Sequence, residues 1–344
     1  MLLAARSAHG YTYQSPISEG CHEQLAAEAL RSVRGALGPG DPYAPSRAET
    51  ALIDDLAFDL PADLGDLGAA SLLLGVRDND TKGHQGIDAF DLSAVHGDPA
   101  SQREHCLRHP DQDEPNGTAG ALADCRDYIR SRVAAAVTEG LDAAGQPDMN
   151  ARTVLAVYLA LNGRVSAELP AFWVYMGQAL HAMEDAFTHT FRSPDGMRVR
   201  VVLNWVEFAE GTLVEARDGP PHLSALDQCA GLDPMRQSRQ DLAVRASAEI
   251  LEAALDPAVA PAARLTVVDG LLDAYLTLDP GCNTANRWCD APENVYLERR
   301  GCAATGTGDA TAAAVVALAL GLAAVARRRR RGVVVVALGV ALWV

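Results

Sequence analysis

The stretch His181-Ala-Met-Glu-Asp185-Ala-Phe-Thr-His189 decides the fold class and indicates a chemistry. Its two imidazoles and one carboxylate recur every four residues, and this spacing places them on one face of an α-helix. Imidazole nitrogen and carboxylate oxygen are donors that suit zinc. The stretch therefore predicts a central helix over Pro170–Phe191 that presents three metal ligands: His181, Asp185 and His189.

A metal-free alternative for this helix is a hydrogen-bonded core network. Apolar residues surround the ligand positions and predict burial: Met176, Leu180, Met183 and Phe187. Burying two imidazoles and a carboxylate without a metal or matched partners is costly, so we favour metal binding. The neighbouring Glu184 and Arg192 are expected to support the ligands or to lie at the surface.

Composition favours helices over sheets. The 344 residues are rich in Ala and Leu, and only 5% are aromatic. The formal net charge is −16 despite a run of five arginines near the C-terminus, and so acidic a body argues against duplex nucleic acid as a partner. Helical periodicity dominates without a strong internal boundary, which predicts one all-α domain over residues 11–290.

The predicted elements follow from this periodicity and from capping and turn residues. Asp78–Pro99 is polar and rich in Gly and Asp, and it is predicted to be a loop. Val199–Leu203 is compatible with a strand, and Pro280–Arg300 is predicted to be irregular, with residues 291–309 as a linker. The predicted helices besides the central one are Cys21–Leu37, Arg47–Phe58 with Ser46 as its N-cap, Asp66–Leu74, Pro99–Arg108, Ala121–Glu139, Ala151–Leu161, Asn204–Glu215, Pro234–Leu255 and Pro261–Leu278.

The seven cysteines predict disulfides. No Cys-x-x-Cys pair occurs, so a thiolate zinc site is not indicated. Cys302 stands apart near the tail, and the other six form an even set that suits an oxidising compartment. Cys282–Cys289 and Cys106–Cys125 would close short loops, which leaves Cys21–Cys229 by elimination. Reduced, buried cysteines in a cytosolic protein are the alternative.

Both ends of the chain carry targeting features. Residues 1–10 resemble the last part of a signal peptide, so the mature chain would begin near Tyr11. At the other end, Cys302 precedes an apolar run, Ala310–Ala326, and the arginines Arg327–Arg331. This order resembles the myxobacterial C-terminal sorting signal and implies export with anchoring at Cys302. Because a second apolar stretch follows the arginines, residues 310–344 could also form a short hairpin or a plain membrane anchor.

Further residues of ligand type precede and follow the central helix. His22 opens the first helix, Asp80 lies in the predicted loop, His105 precedes a His-Pro pair, and His222 follows two prolines. This order resembles the zinc-dependent bacterial phospholipases C and the related fungal single-strand nucleases over roughly residues 20–230. The resemblance implies an all-α domain around two or three zinc ions, held by His22, Asp80, His105, His181, Asp185, His189 and His222.

The chain departs from the family pattern in three places. The family often has a Trp at its processed N-terminus, where this chain offers Tyr11 or Tyr13. A Glu usually follows the last His by one turn, but Leu226 holds that position and Asp227 is the nearest acid. The third departure is the gap before His189, which is longer in the phospholipases.

Two ligand assignments remain open at this stage. Asp78 competes with Asp80, and His84 or His96 could replace His105.

The resemblance implies a zinc-dependent phosphodiester hydrolase, most nearly a phospholipase C, acting outside the cytoplasm. Asp80 would be its catalytic residue, orienting or deprotonating the attacking water. The expected partners are a phospholipid or another phosphodiester as substrate and a membrane at the C-terminal segment. One alternative is a single-strand nuclease, although the four Trp offer no obvious stacking pair. Another is a non-catalytic surface protein stabilised by metal.

Overall fold

The structure is a computed structural model that describes residues 11–15, 18–38 and 43–298. Ala8–Asn294 form one compact unit, and Val295–Glu298 belong to a separate one. The expected signal-peptide remnant, residues 1–10, lies outside the described residues, and so do Cys302 and the expected anchor, residues 310–344. None of the helices in the described part of the chain combines the length and apolar character needed to cross a membrane.

The central helix, α6, spans Ala171–Thr188 and is buried everywhere except at Tyr175. Pro170 is its N-cap rather than its first residue, and His189 is its C-cap. The helix is shorter than predicted because the chain enters a strand directly after His189. Its neighbours are α1 (Cys21–Leu37), α3 (Leu67–Thr81), α5 (Gly117–Glu139) and α9 (Pro234–Leu255).

Two of the predicted helices have the predicted bounds, namely α1 and α9. The helix predicted over Arg47–Phe58 is shorter, and Ser46 caps it as expected, in a capping box with Glu49. The remaining described helices are α2 (Arg47–Asp54), α4 (Ala89–His96), α7 (Val206–Glu210), α8 (Glu215–Asp218) and α10 (Pro261–Tyr275), the 3₁₀ helices Ala62–Leu64, Pro99–His105 and Thr284–Asn286, and one helical turn, Arg287–Asp290.

α3 and α6 touch through their backbones. A Cβ added at Gly177 would lie 2.1 Å from the carbonyl oxygen of Leu72, and one added at Gly75 would lie 2.2 Å from that of Val174. Only glycine permits so close an approach. The contact brings the C-terminal turn of α3 against the middle of α6.

The prediction of a loop from Asp78 was wrong, because α3 continues to Thr81 and α4 occupies part of the same stretch. The polar residues at the end of α3 have a low helix propensity, but tertiary contacts keep them in the helix. The buried Asn79 amide donates to the backbone oxygen of Gln178 and accepts from the Tyr128 hydroxyl. The polar residues are thus satisfied inside the protein rather than in a solvated loop.

The helix predicted over Ala151–Leu161 was also wrong. This stretch contains β1 (Arg152–Leu159), which pairs in antiparallel fashion with β2 (Gly163–Pro170). Gly163 has a φ of +66° at the turn, and Asn-Gly is a strong hairpin signal. The sequence therefore contained the evidence for a hairpin.

A second sheet follows α6 in the chain. Its strand order is β3 (Thr190–Arg192), β4 (Arg198–Val202) and β5 (Thr277–Leu278), with an antiparallel and then a parallel pair. The strand at Val199–Leu203 that was predicted as compatible with the sequence is β4. The body is therefore mainly helical, as predicted, but it carries two small sheets.

The structure pairs all six cysteines that lie within the described residues. The disulfides are Cys21–Cys229, Cys106–Cys125 and Cys282–Cys289, as predicted. Three disulfides are typical of an oxidising, extracellular environment.

Candidate metal centre

Asp185 is the centre of a buried cluster of imidazoles. Its Oδ2 atom lies 3.0 Å from both His105 Nδ1 and His181 Nε2, and its Oδ1 atom lies 3.3 Å from His22 Nε2. The four side chains come from α1, the 3₁₀ helix Pro99–His105 and α6. All four are almost completely shielded from solvent.

The first group of possible ligands consists of His22, His181 and Asp185. The His22 and His181 rings stack with their centroids 4.0 Å apart. The opposite side of His22 contacts Glu184, with Nδ1 2.7 Å from Oε2. A carboxylate that receives one ring N–H fixes the tautomer and orients the other nitrogen toward a metal.

The second group consists of Asp80, His105 and His181. Asp80 Oδ1 lies 3.8 Å from His105 Nδ1 and 3.9 Å from His181 Nε2. The last turn of α3 delivers Asp80, because the close packing of α3 on α6 directs this residue into the cluster.

The third group consists of His189, His222 and Asp227. His222 Nε2 lies 3.2 Å from His189 Nε2 and 3.3 Å from Asp227 Oδ1. His189 Nδ1 donates to the backbone oxygen of His105 at 2.5 Å, which leaves Nε2 with a lone pair. The backbone of His222 is held beside the second sheet, since its N–H donates to the oxygen of Asn204.

The structure thus brings all seven predicted ligands into one cluster: His22, Asp80, His105, His181, Asp185, His189 and His222. Of the two alternatives Asp78 and Asp80, Asp80 lies in the second group, whereas Asp78 accepts a hydrogen bond from Gln178 and lies near Lys82. His84 lies outside the three groups and pairs with Asp91.

His96 occupies an intermediate position at the end of α4. Its Nε2 atom lies 3.8 Å from Asp80 Oδ1, and its ring centroid lies 5.0 Å from that of His105. It borders the second group without belonging to it.

Two residues of the cluster had no assigned part in the predicted ligand set. Asp227 completes the third group, and its only sequence signal was that it is the first acid after His222. Glu184 is fully buried and takes the supporting place behind His22. Arg192 is also buried, and its guanidinium donates to the backbone oxygens of Ala186, Gly196 and Tyr275.

The hydrogen bonding of the cluster fits a cation. Among the described residues, neither carboxylate oxygen of Asp80 or Asp227 accepts a hydrogen bond, although both side chains are buried. Burying such oxygens without a partner is costly. Facing ring nitrogens lie 3.1 Å apart in the pair His105–His181. Nitrogens at this distance need a proton or a cation between them.

The buried carboxylates and imidazoles of the cluster have strongly shifted pKa values. Burial raises the pKa of Asp80 and of Glu184 to about 7, and it raises the pKa of Asp227 well above its usual range. Burial lowers the pKa of His189 to about 4. The pKa of Asp185, which burial alone would raise, is held well below its usual range by His189, His181 and His22. Divalent cations would relieve this repulsion among carboxylates.

Aromatic residues flank the cluster at two places. Tyr11 is buried, with its ring edge toward His22 at 5.8 Å between centroids. The ring centroid of Trp205 lies 5.2 Å from that of His222 and 6.1 Å from that of Phe208. Trp205 and Phe208 are both half-buried. The structure therefore provides an aromatic pair that the sequence did not reveal.

Taken together, the three groups offer nitrogen and oxygen donors to as many as three cations, with His181 common to two groups. Such donors suit zinc and other divalent ions, and neighbouring divalent ions can bind one phosphate group between them.

No model of a protein family matches the chain, and neither the curated proteins nor the solved structures contain a match.

Proposed function

We propose that this protein is a zinc-dependent phosphodiester hydrolase, most nearly a phospholipase C. The observation that carries the proposal is the set of three adjacent His and Asp groups, two of which share His181. Adjacent sites of this kind suit a phosphodiester, whose charged oxygens need more than one cation. The sequence resemblance to the zinc phospholipases C and fungal nucleases supports the same reaction.

The three groups would each hold one zinc ion. Bound zinc would supply Lewis acidity toward phosphoryl oxygens and lower the pKa of a bound water. Glu184 orients His22, and the backbone oxygen of His105 orients His189. The burial of the cluster keeps these hydrogen bonds free of competing water.

Asp80 is the proposed catalytic residue. Both of its oxygens lack hydrogen bonds to described residues, so one can bind metal while the other accepts a proton from the attacking water. Without metal, burial raises its pKa to about 7, and bound zinc would keep the carboxylate in the ionised form that a general base needs.

A phospholipid is the preferred substrate class, because the chain is acidic and carries features of export to a membrane surface. A second candidate is single-stranded nucleic acid. The pair Trp205–Phe208 beside His222 favours it, since bases stack on aromatic rings. Non-catalytic metal binding is the third reading, and assays of turnover separate it from the other two.

The proposed place of action is outside the cytoplasm. The three disulfides support an oxidising compartment. Anchoring through Cys302 and residues 310–344 is proposed from the sequence alone.

The decisive experiment measures bound metal and hydrolysis on the same purified full chain. We expect zinc to copurify, a chelator to abolish hydrolysis of a choline phospholipid in mixed micelles, and added zinc to restore it. Single-stranded and duplex DNA serve as the competing substrates. Asp80→Asn should lower turnover by about 10²–10⁴-fold, whereas His84→Ala, outside the three groups, should have no effect.

Absence of bound metal at neutral pH with zinc supplied would overturn the proposal. Bound zinc without hydrolysis of either substrate would support the non-catalytic reading.

A further inference from the structure

We propose that two of the three disulfides, Cys21–Cys229 and Cys106–Cys125, position the ligands of the metal centre, which is complete only in the oxidised chain. The inference rests on the metal centre of the proposed function. Its starting observation is the placement of the cysteines. Cys21 directly precedes His22, Cys106 directly follows His105, and Cys229 lies two residues after Asp227.

Cys21–Cys229 joins the first group to the third. It connects the first turn of α1, which carries His22, to the segment between α8 and α9, which carries Asp227. Among the described residues, neither oxygen of Asp227 accepts a hydrogen bond, so such bonds do not hold this buried carboxylate in place. The crosslink two residues further on restrains the backbone beside this carboxylate.

The other restraints on the segment around Asp227 are local hydrogen bonds. The N–H of Leu226 donates to the oxygen of Leu223, and the Arg236 guanidinium donates to the backbone oxygens of Ala225 and Gly231 and to the side chain of Gln228. These bonds join residues at most 11 positions apart. The disulfide joins the segment to the start of α1, across a separation of 208 positions.

Cys106–Cys125 restrains the second group. It joins the residue after His105 to α5, with 4.8 Å between the two Cα atoms. Cys106 has a φ of +49°, so the chain changes direction immediately after the ligand. His105 places Nδ1 beside Asp185 and offers its backbone oxygen to His189. A displaced His105 would thus disturb the second group and the orientation of His189 in the third.

Cys282–Cys289 provides an internal control. It closes a short loop after α10, with a separation of 7 positions, and no residue of the three groups adjoins it in the chain. Its removal should therefore change stability without changing metal binding.

The first test compares three double variants of the full chain. We expect Cys21→Ala/Cys229→Ala and Cys106→Ala/Cys125→Ala each to lose at least one zinc ion per chain, or to bind zinc about tenfold or more weakly. Cys282→Ala/Cys289→Ala should keep the wild-type zinc content. Zinc is measured by elemental analysis, the visible spectrum of bound Co²⁺ reports ligand geometry, and circular dichroism verifies that the helices remain.

A second measurement uses the wild-type chain and covers the case in which a variant does not fold. The zinc-loaded protein is reduced stepwise with a water-soluble phosphine. For each disulfide, one phosphine gives up two electrons and takes the oxygen of one water to become its oxide, and the two protons of that water go to the two thiols. Freed thiols are alkylated and mapped by peptide analysis. Zinc release should accompany alkylation of Cys21 with Cys229 or of Cys106 with Cys125, and not that of Cys282 with Cys289.

The inference is overturned if chains reduced at both ligand-adjacent disulfides, or folded variants lacking them, retain zinc with wild-type affinity. Failure of the proposed function gives a different result. An oxidised wild-type chain that binds zinc but hydrolyses no phosphodiester removes the enzymatic proposal and leaves the zinc measurements decisive for the disulfides. An oxidised chain that binds no zinc overturns both.

Discussion

Asp185 belongs to the first group of possible ligands and also contacts His105 and His181 of the second. Changing one atom of its carboxylate should therefore affect both groups. Asp185→Asn replaces a charged oxygen by an amide nitrogen that cannot bind zinc. We expect at least one zinc ion per chain to be lost, measured by elemental analysis after gel filtration. Asp78→Asn is the matched control, because Asp78 is also buried but bonds to Gln178 outside the groups. Equal zinc content in the two variants would contradict the central place of Asp185.

Protonation of the same cluster predicts a pH dependence of zinc binding. Burial raises the pKa of Asp80 to about 7. Burial alone would lower the pKa of His22, but Asp185 and Glu184 outweigh it and raise that pKa well above its usual value. Zinc requires an ionised carboxylate and a neutral imidazole, so it must displace these protons.

Zinc affinity should therefore fall as the pH drops below about 7, and binding should release protons. Isothermal titration in two buffers with different ionisation enthalpies measures this release at pH 6 and pH 8, and we expect more protons at pH 6. Identical heats in both buffers at pH 6 would show that the groups are already deprotonated, against the prediction.

At the residue scale, the sequence predicted ligands where their spacing is local and left open those whose position depends on tertiary contacts. His181 and Asp185 lie on α6 and His189 is its C-cap, so a four-residue period was sufficient to group them. The choice between Asp78 and Asp80 required knowing that both lie on a helix, where residues two apart point to different sides. Asp227 enters through the folding of a segment without regular structure, which no periodicity describes.

At the scale of elements, the contact between α3 and α6 sets the distance between Asp80 and His181. Gly177→Ala would place a Cβ 2.1 Å from the oxygen of Leu72, so the two helices must separate. We expect a loss of about 1–3 kcal/mol in the free energy of unfolding, measured by urea denaturation, together with weaker zinc binding.

Gly35→Ala on α1 is the control for this substitution. A Cβ there meets no atom within 4 Å, and alanine is favoured over glycine in a helix by about 0.5–1 kcal/mol. This variant should be as stable as the wild type or slightly more so. A Gly177→Ala variant with unchanged stability and zinc affinity would show that the helices can adjust without cost.

The errors in element prediction have two different physical origins. α3 was predicted to end at Leu74 because the polar residues that follow it favour loops in solution, but packing against α6 provides them with partners. The first strand of the hairpin, β1, was predicted as part of a helix because its apolar residues also fit a helical period, although the following Asn162-Gly163 pair is a turn signal.

At the scale of the whole molecule, the candidate centre gathers residues from distant parts of the chain. Its residues come from α1, α3, the 3₁₀ helix Pro99–His105, α6 and the segment after α8. Cysteine counting predicted the crosslinks between these parts correctly, since six cysteines with two short loops leave one long pairing. That the candidate ligands of the other elements meet at α6 could be inferred only from the family resemblance, because their meeting depends on how the helices pack.

Because the centre holds distant segments together, metal removal should lower the stability of the whole unit. Zinc at 100 times its dissociation constant stabilises the folded state by about 2.7 kcal/mol per site. For a unit the size of Ala8–Asn294, each kcal/mol changes the melting temperature by about 1.5–2 °C. We therefore expect a chelator to lower the melting temperature by about 4–5 °C for one site, measured by circular dichroism at pH 7 in the oxidised protein. The Asp185→Asn variant should show a smaller shift, because it has fewer ions to lose. A wild-type chain that melts at the same temperature with chelator and with zinc would show that its buried carboxylates and imidazoles are stabilised by shared protons alone.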